Sequence, residues 1–143
     1  MLAGMSSSMS SAARVEALLG ELGLLDRVTR SAENVWSLTK GSATVQIVAA
    51  PEFVVATARV ADGVPDIADR EGFFRSLLEA NVGLLGAFFT LEENRSIRLN
   101  QVLPIDWLQS QELAFIIGNV AARADEWDDR LRGLIADLIA DDR

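Results

Sequence analysis

Asp125, Glu126, Asp128 and Asp129 crowd a short stretch near the end of the chain. On a helix, Asp125 would share a face with Asp128 or Asp129 at i+3 or i+4, a spacing that could hold a hard cation. Arg123, Arg130 and Arg132 are interleaved with them, so the expected arrangement is a solvated face of ion pairs at helical spacing. Carboxylates matter here because little else is available for chemistry. The chain has no His, no Cys and no Tyr, and Lys40 is its one lysine. That removes the usual general base near neutral pH, the thiolate nucleophile and the commonest metal ligands. Catalysis would fall to Asp, Glu, Ser, Thr, Arg or Lys40. A protein that is not an enzyme and carries no cofactor is the expectation; a small carboxylate-based enzyme is the alternative.

Two short motifs dissolve on inspection. Lys40-Gly41-Ser42 resembles the end of a phosphate-binding loop, but it lacks the upstream glycine and falls between two strand patterns, where a hairpin turn is expected. Asn94-Arg95-Ser96 matches a glycosylation sequon, yet the N-terminal residues lack the basic and apolar regions of a secretory signal. The net charge of −8 argues against nucleic acid and against an anionic membrane surface. No apolar run reaches the roughly 20 residues that span a bilayer. A cytoplasmic protein with a protein partner is expected.

The elements that position these residues are readable from periodicity. Residues 1–10 read as a flexible tail and residues 11–143 as one domain. Ser10 or Ser11 caps a first helix with Val15, Leu18, Leu19, Leu22 and Leu25 on one face. Strands follow at 33–39, 43–50 and 52–61, forming a meander, and residues 62–69 make a loop. A second helix runs over 70–82 with Phe73, Phe74, Leu77 and Leu78 as its stripe, and Gly83 sits where a cap glycine belongs. Strands at 85–92 and 96–103 form a hairpin about residues 93–95, ended by Pro104. From 110 to 140, Leu113, Ile117, Val120, Ala124, Trp127, Leu131, Leu134 and Leu138 recur in an unbroken heptad seam. About 30 residues at about 1.5 Å each make a helix of roughly 45 Å, longer than such a domain is wide. The predicted fold is α+β in the order α-β-β-β-α-β-β-α, an antiparallel sheet backed by helices.

Three further residues stand out. Asn81 falls on the apolar stripe of the second helix, where a buried amide needs partners; it is expected to tie the helix end to the next loop or strand. Trp127 is a seam position, and Trp107 lies in a connector. With Leu131, Leu134 and Leu138, these tryptophans are candidate partner or dimer contacts.

The segments Leu77-Leu78-Glu79-Ala80-Asn81, Leu85-Gly86-Ala87-Phe88, Leu103-Pro104-Ile105-Asp106 and Ala124-Asp125-Glu126-Trp127-Asp128-Asp129-Arg130-Leu131 form a pattern. Over residues 77–131 the chain resembles the YbjN-type proteins, a family named as bacterial sensory transduction regulators. That resemblance implies the fold of the type III secretion chaperones, small acidic proteins that dimerise and bind extended segments of a secreted effector. It brings no catalytic residues. A homodimeric protein-binding module is therefore the leading expectation, as a regulator or as a secretion chaperone. A structural subunit of a larger assembly is a further alternative.

Overall fold

The computed structural model describes residues 10–62, 70–93 and 95–141; for Arg70 and residues 137–141 it describes the backbone alone. The predicted loop at 62–69 and Asn94 lie almost wholly outside the described residues.

Helix α1 (Ser11–Glu21) starts on Ser10, whose hydroxyl accepts from the Ala13 N–H at 3.0 Å, and it buries Val15, Leu18 and Leu19. Four strands follow where three were predicted: β1 (Thr29–Ala32), β2 (Val35–Lys40), β3 (Ala43–Ala49) and β4 (Phe53–Ala61). The additional strand, β1, consists of Thr, Arg, Ser and Ala, all exposed, so it has no apolar alternation to betray it. It exists because β2 offers an edge, with Thr29 opposite Ser37 and Arg30 opposite Trp36. The Arg30 guanidinium lies 5.0 Å from the centre of the Trp36 ring, and Trp36 is fully buried beneath it.

Helix α2 (Arg70–Ala80) leads through a 3-10 turn (Asn81–Gly83) to β5 (Phe88–Leu91), and β6 (Ile97–Pro104) returns between β4 and β5. The sheet is antiparallel throughout, in the order β1-β2-β3-β4-β6-β5. A second 3-10 turn (Ile105–Trp107) precedes α3 (Ser110–Asp141), 32 residues long and about 48 Å by helical rise.

Strand alternation gives the sheet two unlike faces. Val45 and Ile47 of β3, Val54, Ala56, Ala58 and Val60 of β4, and Ile97 and Leu99 of β6 are buried beneath helices. The opposite face carries no helix among the described residues. There Val35, Val48, Val55 and Val102 line up across four strands, beside a polar group built on Thr57, Arg98 and Asn100.

Helix α3 buries a broader stripe than the predicted seam. Ile116 and Ala121 join Leu113, Ile117, Val120, Ala124 and Leu131 in the core. Spacing of i, i+3, i+4 and i+7 marks a helix packed on a sheet, whereas a coiled coil would bury a narrower seam. Ile116→Ala should therefore lower unfolding free energy by about 2–5 kcal/mol, while Phe115→Ala, on the exposed side, should change it by about 0.5 kcal/mol or less. Urea denaturation followed by circular dichroism reads both; equal losses would contradict this assignment of faces.

Candidate interaction surfaces

The clustered carboxylates of residues 125–129 are absorbed by their neighbours. Glu126 pairs with Arg123 at 3.2 Å and with Arg130 at 3.1 Å, and Arg132 pairs with Asp128. The hydrogen bond and charge of Asp128 raise the Arg132 pKa further. Asp125 accepts instead from the Ser42 hydroxyl, latching α3 onto the β2–β3 hairpin. That turn is tight. Gly41 has φ +66°, and a Cβ there would come within 2.7 Å of the Asp125 carboxylate. The Lys40-Gly41-Ser42 segment is thus a hairpin turn gripped by a helix. No cluster of three or more acidic residues able to hold a metal occurs among the described residues.

The residues singled out from sequence fall in different places. Asn81 is half-buried, and its Oδ1 accepts from the Phe89 N–H at 2.9 Å, tying the end of α2 to the outer edge of β5. Trp127 packs edge-to-face on Phe89 with ring centres 5.3 Å apart, and Arg130 covers its ring at 5.1 Å. Leu131 is fully buried in this chain's own core and offers nothing to a partner, while Leu134 is half-buried against that core. The side chain of Leu138 lies outside the described residues. Trp107 projects from its 3-10 turn, 76% exposed.

A larger apolar surface was not foreseen. The stripe predicted for α2 turns only partly inward: Phe73 and Leu77 are buried, but Leu78 is 68% exposed. Val82, one turn on, is 91% exposed and Leu85 64%. Leu78 also lines an open cavity of about 210 Å³ between α2 and β5, together with Phe74, Phe89 and Leu91. Single exposed apolar residues are ordinary, but several at successive turns beside an apolar cavity mark an interaction site.

Backbone strain falls in the same place. Gly83 does not adopt the left-handed conformation predicted for a cap glycine. Leu85, at φ +56°, and Gly86, at φ +94°, do. A leucine in that region costs roughly 1 kcal/mol, so its surroundings must enforce it. The enforcement comes from two buried amides that sequence reading missed. Asn119 of α3 donates from Nδ2 to the Leu84 carbonyl at 3.0 Å and to Gln101 Oε1 at 2.8 Å. Gln101 of β6 donates in turn to the Leu85 carbonyl at 3.2 Å. A Cβ on Gly86 would approach that Gln101 amide to 2.9 Å, which explains the glycine. The signal was present: alternation puts Gln101 on the apolar face with Leu99, and Asn119 follows Ile116 by one helical turn.

Among solved structures, the ExsC–ExsE complex contains a chain with a TM-score of 0.64 at 20% identity, covering 85% of this chain and 96% of that one. The type III secretion chaperone SycH of Yersinia pestis, in complex with a fragment of YscM2, gives 0.60 at 16% identity over 82% of this chain and 98% of the other. The fold is that of the type III secretion chaperones. A chain of the ExoT–SpcS complex from Pseudomonas aeruginosa gives 0.56 at 19% identity, covering 80% and 94%. No family model matches this chain, and no curated protein is similar to it in sequence. At these identities the likeness is one of architecture. Within the chaperone-like fold, no described helix is long and apolar enough to cross a membrane.

Asn119 is the keystone of the amide pair. Asn119→Ala should destabilise the protein by about 1–3 kcal/mol, because it strands the Gln101 Oε1 acceptor in the interior and leaves the Leu84 carbonyl with the Ala87 N–H alone. Thermal denaturation reads the loss, and a melting point unchanged from wild type would show the amides to be solvated.

Proposed function

We propose that this chain is a non-enzymatic, chaperone-like binding protein that dimerises with itself and captures an extended segment of another protein. The observation that carries the proposal is the uneven finish of the sheet. At one end Leu78, Val82 and Leu85 stand exposed, while at the other the outer edge of β1 has no strand beside it among the described residues. Apolar surface of this kind favours a second protein surface. An unpaired strand edge offers backbone donors and acceptors to an extended chain. The two ends differ in a useful way: at β5 the Phe89 N–H is already taken by Asn81, which disfavours strand addition there. The α2–β5 end therefore suits a second copy of the chain, and the β1 edge suits the captured segment.

Against a carboxylate-based enzyme stand the ion pairs and the hairpin latch that occupy Asp125, Glu126 and Asp128. The secretion-chaperone version is favoured by the neighbours, which include SycH with a YscM2 fragment and SpcS with ExoT. The regulator version rests on the YbjN-type motifs of residues 77–131.

Size-exclusion chromatography with light scattering should give a dimer mass, and Val82→Asp should convert it to a monomer with an unchanged circular dichroism spectrum. A monomer at every concentration of the wild type would sink the dimer. In the Val82→Asp background, Leu85→Gly should add about 1 kcal/mol of stability by relieving the positive φ, whereas in the wild type it should weaken dimerisation. A partner recovered from the native host and identified by mass spectrometry should slow hydrogen exchange at β1. Protection confined to other elements would rule out the edge.

A further inference from the structure

Arg27 and Lys40 are unusual in this molecule. Among the described basic residues, the others are engaged by a carboxylate, a carbonyl or another group. The side chains of Arg27 and Lys40 form no hydrogen bond or ion pair with any described residue. Both line one cavity. It lies between the segment after α1, strand β2 and helix α3, measures about 220 Å³, and is lined on its apolar side by Leu22, Leu24, Leu38 and Ile117.

An apolar hollow with two unpartnered cations at its rim is complementary to an apolar group that carries a negative charge beside it. Size narrows the choice. Small-molecule sites occupy roughly 300–1,000 Å³, and this cavity is smaller, with room for one large side chain. Residues 1–9 and the end of α3 make poor occupants. Residues 1–9 contain no carboxylate. The C-terminal end of α3 lies about 36 Å from Ile117 along the helix.

The geometry points to this cavity as the anchor site for a partner segment in which an aliphatic or aromatic residue stands next to Asp or Glu. The apolar side chain fills the hollow between β2 and α3, and the neighbouring carboxylate meets Arg27 and Lys40. This deepens the proposed segment-binding role and rests on it. It adds a sequence preference that the free edge of β1 cannot provide, since backbone pairing is indifferent to side-chain charge. An acidic protein thereby selects an acidic segment, using two cations that no described residue pairs.

The test is selection of a displayed random-peptide library on the full-length protein and on the double variant Arg27→Glu/Lys40→Glu. The wild type should enrich peptides that place Asp or Glu beside an apolar residue. A synthetic peptide of the enriched sequence should bind the double variant about tenfold more weakly, with the melting temperature unchanged. Salt at about 0.5 M should weaken wild-type binding as well. Enriched peptides with no acidic preference would overturn the cavity assignment while leaving segment binding intact. A library that enriches nothing would remove both. Octanoate binding that is lost in the double variant, without peptide enrichment, would make this a site for small amphiphiles instead. A changed dimer mass in the double variant would assign the cavity to a second copy of the chain.

Discussion

The contact between α3 and the middle of the sheet governs the rest of the architecture. Ala56 and Ala58 of β4 face this helix, and Ala121 and Ala124 of α3 are buried with them. Small side chains on both surfaces let a long helix approach the central strands closely, and larger residues flanking them fill the space at either side. Val54 and Val60 do so on β4, Val45 and Ile47 on β3, and Leu113, Ile116 and Val120 on α3. Once α3 occupies the centre, α1 and α2 are left to cover what it does not reach. Helix α1 closes over β3 and β4 with Val15 and Leu19, and α2 covers the β5 end with Phe73 and Leu77.

A sheet covered on one side must make its other side acceptable to water. Here that face is held by side-chain hydrogen bonds across strands. Thr57 donates to Asn100 Oδ1 at 2.7 Å, Asn100 donates to Thr90 at 2.8 Å, and Arg98 reaches both Thr57 and Gln46. The group spans β3, β4, β6 and β5, so a slip of register in any one strand would break it. The valines beside it remain partly exposed. The β1 edge is exposed too, and its bulge and polar residues keep it from being a flat apolar template.

The exposed apolar residues and the strained backbone coincide, and that coincidence links stability to function. Leu85 holds a conformation that glycine would adopt at lower cost, and its side chain packs against little in its own chain. Two buried amides, hydrogen-bonded to each other and to the Leu84 and Leu85 carbonyls, keep it there. Strain of this kind persists where the surrounding structure over-determines it, and such places are often contact sites. On the opposite flank, the cavity at Arg27 and Lys40 follows the same logic in electrostatic form, with two charges that pair with no described residue.

The composition and periodicity of the chain determined its class. Alternation in β3 and β4, the stripes of α1 and α2 and the length of α3 are each local patterns, and local patterns survive translation into elements. The interleaved arginines of α3 announced ion pairs, and Asn81 announced a tie to the following strand, because both depend on neighbours close in sequence. Strand β1 was illegible, since four exposed polar or small residues become a strand only when β2 is already beside them. The inward side of α3 was legible in part: Ile116 joined the core because a flat sheet accepts a wider stripe than a second helix would. Exposure of Leu78, the Asn119–Gln101 pair and the two unpaired cations were decided only in three dimensions. Each depends on residues tens of positions apart in the chain, brought together by β6 inserting between β4 and β5 and by α3 crossing above them.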